Sequence, residues 1–375
     1  MNKKKSTLIL SITLVIMIGI VGVYTSVTSN KGLTVIPVST YSEDVNCKED
    51  VIAMRQQTNK ETTLIEMYKD LKVIDVHNHG GPSAVVSVEE WKSYHIDQTF
   101  IFGNVSEPSA MGTDEQSFIS YKRLPRDVLP FFAGININDE SGIVYTKNQL
   151  ERGYLGIGEL AAASTHSPVL SSVKWKGIHP LDKKLPQVYE LAAEYGAPVL
   201  LHIDPPDGHP IRVLEQALTD YPNTAFIFGH ANVENTPKAI EELLKKHKNL
   251  YIDFFAGYTL QASKKGGYNL EDFVPVIEKY PNQFIFGTDG GYGMTYSQAT
   301  EAIYETIHLL EPETACKVSN QNAEKIIETQ QATQTQINKI KELSTKLKRK
   351  GQVEVNKREA NELIFELEEK VAKLE

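Results

Sequence analysis

The stretch Ala225-Phe226-Ile227-Phe228-Gly229-His230 is apolar on both faces and closes on a glycine and a titratable side chain. A strand solvated on one side alternates polar and apolar residues, whereas an unbroken apolar run belongs to a parallel sheet covered on both faces. Phe284-Ile285-Phe286-Gly287-Thr288-Asp289 repeats the plan. Working outward from these two, six more runs of the kind are found: Val73 to His77, Thr99 to Phe102, Leu129 to Ile135, Leu155 to Glu159, Pro198 to His202 and Leu250 to Phe254. Amphipathic stretches such as Leu185 to Tyr195 and Pro237 to His247 separate them, with apolar residues recurring at helical spacing. Eight strand–helix units in succession predict an α/β fold, a (β/α)8 TIM barrel. A doubly wound open sheet is the alternative, but no G-x-G-x-x-G turn follows the first run.

With 375 residues, 41% of them hydrophobic and 23% charged, the chain is neither a disordered polyelectrolyte nor a multi-span membrane protein. A net charge of -9 argues against nucleic acid as a partner, since phosphate neutralisation needs clustered Lys and Arg. The two cysteines, Cys47 and Cys316, exclude a disulfide framework and a four-thiolate zinc site, and leave a single disulfide between them open. Whether the chain forms a homo-oligomer is equally open.

Lys3, Lys4 and Lys5 precede an apolar stretch from Thr7 to Tyr24. That is the secretory pattern of a basic and then a hydrophobic region. The 18 apolar residues reach the lower limit of ~17–25 for a membrane-spanning helix. No A-x-A cleavage site is present, the first alanine being Ala53. Residues 1–30 are therefore expected to be a signal anchor at the cell membrane, single-pass, with the barrel outside the cytoplasm; secretion after signal cleavage is the alternative. Residues 31–71 read as a stalk and short helix, and 72–328 as the barrel. Residues 329–375 read as a C-terminal helical extension. In it Ile337, Ile340, Leu343 and Leu347 mark one helix, ended by Gly351. Asn356 with Glu359 forms a capping box for a second, whose Ala360, Ile364, Leu367, Val371 and Leu374 have coiled-coil spacing. An antiparallel helical hairpin packed on itself is the expectation.

In a barrel, catalytic groups collect where the strands end at the C-terminal mouth. His77 and His79 share one extended segment and point the same way, because strand side chains repeat with period two. His202, His230, Glu159 and Asp289 end other runs, so six donors converge on one cavity. Nitrogen and carboxylate donors suit a divalent metal, Zn2+ first, with Fe2+, Mn2+ and Ni2+ as alternatives, one or two per chain. Read singly, Asp289 would be a helix cap and Glu159 a carboxylate orienting a histidine; the joint placement is what points to chemistry.

Asp75-Val76-His77-Asn78-His79 resembles the D-x-H-x-H opening of the amidohydrolase superfamily. Leu201-His202, Gly229-His230 and Gly287-Thr288-Asp289 are similar to its strand-five, strand-six and strand-eight motifs, and Asn322-Ala323 to the end of its amidohydrolase-related domains. The resemblance covers about residues 72 to 327. It implies that His77, His79 and Asp289 hold one metal. His202 and His230 then hold a second, or His202 joins the first while His230 contacts substrate. Gly156-Ile157-Gly158-Glu159 is similar to the segment of TatD-type hydrolases whose glutamate bridges two metals. Many relatives place a carboxylated lysine on this strand; the nearest lysines here are Lys147 and Lys174.

The expected activity is hydrolysis of a small molecule by metal-activated water. The target is a carbonyl (amide, ester or lactone) or a phosphoryl centre, polarised by the metal or by His230, with Asp289 accepting the proton of the water. A mononuclear decarboxylase or hydro-lyase and a non-catalytic surface protein with a scaffold barrel are the alternatives. Arg212, Tyr258 and Tyr292, with Trp175, Tyr296, His179 and His209, are candidate substrate contacts in loops after strands. Protease added to intact spheroplasts should degrade the barrel; full protection would place it in the cytoplasm instead.

Overall fold

The computed structural model describes residues 33–39, 41–57, 61–164, 166–204, 209–290 and 293–374. The apolar stretch at residues 7–24 lies outside them; among the described residues no helix is long and apolar enough to cross a membrane. The first strand, β1, is Leu33–Pro37. Eight parallel strands then follow in spatial order, β2 (Ile74–Asn78), β3 (Gln98–Ile101), β4 (Val128–Phe132), β5 (Gly156–Ser164), β6 (Val199–Asp204), β7 (Phe226–Phe228), β8 (Leu250–Phe254) and β9 (Phe284–Phe286). Every residue of β2 to β7 is buried, which is why these runs lack alternation. Helices follow each strand, among them Ala110–Arg123, Leu185–Tyr195 and Tyr296–Leu309, and form the outer layer.

Neighbouring strands pair from β2 through to β9, and side chains close the seam between the last and the first. The Asp75 carboxylate accepts the Thr288 N–H at 2.9 Å and the Thr288 hydroxyl at 2.7 Å. The Asp289 N–H donates to the His77 carbonyl at 2.8 Å. At the base, the Asn322 amide donates to the carbonyls of Pro281 and Phe284, both at 2.8 Å, and the Asn320 amide to that of Lys72 at 2.7 Å. Asn322 thus ends the barrel as a brace for β9, far from any chemistry.

The expected stalk is folded structure. β1 pairs in parallel with β10 (Gly351–Val355), Leu33 opposite Gly351. The helix Cys47–Gln56 lies against the barrel, held by a Cys47–Cys316 disulfide with 6.1 Å between Cα atoms. Arg55 donates to the carbonyls of Ile307 and Leu310 at 2.9 and 2.8 Å. Only Cys47 and Val51 of this helix are buried, so its apolar pattern is too sparse to read locally. The short helix before Lys72 is Leu64–Met67.

The C-terminal extension also departs from expectation. Its helices, Gln334–Lys346 and Lys357–Ala372, pack together, but β10 lies between them and returns the chain. Gln336 bonds to Lys357 and Asn361 at the start of the second helix, and Arg349, past the end of the first, sits 3.8 Å from Glu366. The two helices therefore run in the same direction, and neither an antiparallel hairpin nor a coiled coil describes them. They also pack on the barrel, where the Phe365 ring meets Tyr121 edge-on at 5.3 Å and Asn361 donates to the Gly153 carbonyl at 2.8 Å.

Lys357 is fully buried at this junction; its Nζ lies 5.7 Å from the centre of the Tyr195 ring and makes no hydrogen bond. Burial pulls its pKa down to about 7, with the charge of Glu151 opposing. Between pH 7 and the usual lysine range the unfolded chain keeps a proton that the folded chain has lost, so stability rises with pH in that window. Lys357→Met should stabilise the fold at pH 7 by on the order of 2 kcal/mol, with the gain shrinking toward pH 10. Urea unfolding at both pH values checks this; an unchanged or lowered midpoint at pH 7 contradicts it.

Candidate metal centre

Each donor reaches the mouth by a different local device. His77 lies within β2 and His79 just beyond it. Glu159 stands inside β5 rather than at its end, because the strand continues through Leu160-Ala161-Ala162-Ala163, a run whose small residues carry no strand signature in sequence. Before it, Gly158 has φ +128°, and a Cβ there would come within 2.5 Å of the Leu200 carbonyl oxygen, so no other residue fits. His230 and Asp289 follow the short strands β7 and β9 with φ of 39° and 37°, left-handed conformations unusual away from glycine. Strain of this kind gathers at functional sites, where it aims a side chain that a regular strand would point elsewhere.

The six donors lie together. His77 Nδ1 is 2.6 Å from Asp253 Oδ2 and His79 Nδ1 is 2.9 Å from the Gly103 carbonyl oxygen. With those nitrogens donating, each ring turns Nε2 inward, where its lone pair is offered once a cation displaces the second proton. His77 Nε2 lies 3.7 Å from Glu159 Oε2 and 3.6 Å from Asp289 Oδ1; His79 Nε2 lies 3.4 and 3.6 Å from the same atoms. The other oxygen, Oε1, faces a second pair, His202 Nδ1 and His230 Nε2, both at 3.1 Å. Those two nitrogens are 3.0 Å apart. His202 spends its Nε2 on Asp204 at 2.9 Å, which leaves Nδ1 for the centre.

The donors fit divalent cations. His77 Nε2 is buried without a hydrogen-bond partner, a costly state that a cation relieves. His77, His79 and Glu159 form one group that could hold a metal ion, and Glu159, His202 and His230 form another. Burial opposes a proton on His77, but Asp289, Asp253 and Glu159 outweigh it and hold the ring well above the usual histidine range. Burial likewise opposes a proton on His202, and hydrogen bonds to Asp204 and Glu159 carry it up to about 9. Glu159 is held well below the usual carboxylate range, burial being overcome chiefly by His77, His202 and His230. Without metal the site collects protons, and cations would displace them.

Three further acids complete the centre: Asp253 and Asp204, which the sequence reading did not single out, and Asp75, which it named only as the head of the D-x-H-x-H motif. Asp253 orients His77 and accepts the His230 N–H at 2.8 Å. A Cβ on Gly287 would sit 2.2 Å from Asp253 Oδ1, which explains the glycine before Thr288. Asp204 fixes His202 and accepts the N–H groups of His166 and Ser167 at 2.7 and 3.0 Å, pinning the loop after β5. Asp75 is the seam acid described above. Each is a polar residue inside a buried run, and that mismatch was the signal available.

The donors open into a cavity of about 720 Å³, lined by His79, Glu159, His202, His230 and Asp289 together with residues of the loops after β3 and β5. Arg212 is exposed on the helix His209–Asp220 and does not line it. Tyr258 packs on Phe255 at 6.4 Å between ring centres, and Tyr296 on Tyr94 at 6.0 Å; neither lines the cavity, nor do Trp175 and His179. Tyr292 and the His209 side chain lie outside the described residues.

An amidohydrolase family model matches residues 74–328, and the chain belongs to that family. Among solved structures it is similar to an uncharacterized TIM-barrel protein from Bordetella bronchiseptica, at 16% identity and a TM-score of 0.51 over 69% of this chain and 99% of that one. It is also similar to a 2,6-dihydroxybenzoate decarboxylase (11%, TM-score 0.46, 69% and 99%) and to a lactonase from Listeria monocytogenes (12%, 0.43, 70% and 96%). Identities this low speak for the barrel alone. A search of curated proteins found no match.

The seam is testable. Asp75 is fully buried and accepts from Thr288 twice, from the His77 N–H and from the Asn78 amide. Asp75→Ala should cost about 3 kcal/mol or more, because several buried donors lose their partner. It should also weaken metal retention by freeing Asp289. Denaturant titration and metal analysis read both; a loss below about 1 kcal/mol would show that Asp75 is not what holds the seam closed.

Proposed function

We propose that the chain is a hydrolase with two divalent metal ions, acting on a carbonyl (amide, ester or lactone) or phosphoryl centre of a small molecule. The observation that carries this reading is Glu159, whose two oxygens face two separate pairs of imidazole nitrogens. His77, His79 and Asp289 would hold one ion, His202 and His230 the other, and Glu159 both. Four nitrogen donors among six favour Zn2+ over harder cations. Ions bound there would supply the positive charge that makes water acidic near neutral pH and polarises the electrophile.

The chain's own groups do the rest. Asp289 reaches into the cavity with Oδ1 3.6 Å from two ligand nitrogens, placed to take the proton of the attacking water and pass it to the leaving group. His230 faces the same space and is held in place by Asp253 through its backbone N–H. Asp204 and Asp253 keep their histidines in the tautomer that turns a lone pair inward. The Cys47–Cys316 disulfide supports a barrel working in an oxidising compartment, outside the cytoplasmic membrane, as the basic and apolar N-terminal sequence suggests.

Elemental analysis of the purified protein should find two metal equivalents per chain. A single equivalent at saturation would overturn the bridged centre and favour the mononuclear decarboxylase. Asp289→Asn keeps one ligating oxygen but cannot accept a proton at neutral pH, so turnover should fall roughly 100- to 10,000-fold while metal stays partly bound. Normal turnover by this variant on a chromogenic ester or lactone that the native enzyme cleaves would show that another group is the base.

A further inference from the structure

The walls of the cavity differ sharply from its floor. Beyond the metal donors, the described lining residues include Glu107 and Glu234 and no lysine or arginine. Two lysines of the loop after β5 follow Val173: Lys174 is exposed and does not line the cavity, and Lys176 is spent on the loop, its Nζ donating to the carbonyls of Leu170 and Ser171 at 3.0 and 2.8 Å.

The same loop supplies an apolar shelf. Leu170 and Val173 pack on Ala161 and Val105, and Val169 beside them is 83% exposed while lining the cavity. The shelf is fixed from several sides. Asp204 holds the N–H groups of His166 and Ser167, Trp175 N–H donates to the Ser106 carbonyl at 2.9 Å, and Gly177 N–H to that of Ala161 at 2.8 Å. An apolar surface held open in this way is built to receive apolar substrate surface.

We propose that the enzyme selects neutral or cationic substrates carrying an aryl or alkyl group, which rests on the shelf of Val105, Val169, Leu170 and Val173, and that Glu107 and Glu234 at the rim turn away carboxylates. The proposal rests on the metal-dependent reading of the site and specifies its substrate class. A substrate with a free carboxylate away from the reacting centre would have to leave that charge beside two acids, with no lysine or arginine among the described lining residues to meet it. Glu107 is half-buried and Glu234 exposed, so the discrimination should be screened by salt.

The test uses binding, which needs no known substrate. Metal-loaded full chain is titrated calorimetrically with acetohydroxamate, benzohydroxamate, 4-carboxybenzohydroxamate and 4-trimethylammoniobenzohydroxamate, whose hydroxamate grips a cation directly. The neutral and cationic aryl probes should bind about tenfold or more tighter than the carboxylate at low salt. The double variant Glu107→Gln/Glu234→Gln should narrow that ratio about threefold or more. Val169→Ser, at an exposed position where folding is little affected, should reduce the advantage of benzohydroxamate over acetohydroxamate. Equal affinities for the three aryl probes, a ratio untouched by the double variant, or no binding by any probe would each overturn the proposal. The metal count is read separately: one equivalent sinks the bridged centre, while the ratio of affinities still reports on the rim, since a hydroxamate needs only one cation.

Discussion

A carboxylate buried among four imidazoles sets the terms for this molecule. Glu159 cannot sit in the barrel mouth uncompensated, and each of its oxygens is met by a pair of ring nitrogens brought from other strands. For those rings to arrive with lone pairs inward, their outer nitrogens need acceptors, which Asp253, Asp204 and the Gly103 carbonyl supply. Those acceptors must in turn be held by β8, β6 and the loop after β3. The requirement passes outward through the fold from one side chain.

The same logic explains why the barrel closes as it does. Asp289 must come from the strand next to His77, and the seam between β9 and β2 is joined by Asp75 and by the backbone of Asp289 itself. Closure and the site are one set of contacts. The mouth can carry so many acids because the fold's stability is drawn elsewhere, from the apolar interior of the strands and from the base, where Asn320 and Asn322 tie the helical segment that follows Cys316 under β2 and β9.

Much of this was legible in the chain. Eight apolar runs made the barrel plain, and His77, His79, Glu159, His202, His230 and Asp289 stood out because a polar group closing a buried run needs a reason. Asp75 stood out only as the head of its motif, and Asp204 and Asp253, inside or beside quoted runs, drew no notice, since what Asp75 and Asp253 hold across the sheet and what Asp204 holds in the loop after β5 is far away in sequence. β1 and β10 were illegible for a different cause: each is one short run whose mate is at the far end of the chain, and neither has a pattern of its own. The parallel course of the last two helices depended on β10 and was misjudged with it. Arg212 drew attention by its charge, but its helix turns it to solvent.

The pairing of β1 with β10, followed closely by the Cys47–Cys316 bond, has a mechanical meaning. Tension applied ahead of Leu33 would pull β1 along its own axis, loading its hydrogen bonds to β10 together in shear rather than peeling them one at a time. If they failed, the slack would end at Cys47, ten residues past Pro37, where a covalent bond takes the load and passes it to the helical segment under the barrel. Whatever drags on the N-terminal side of this protein, the strands that carry Glu159 and its histidines would be the last to feel it.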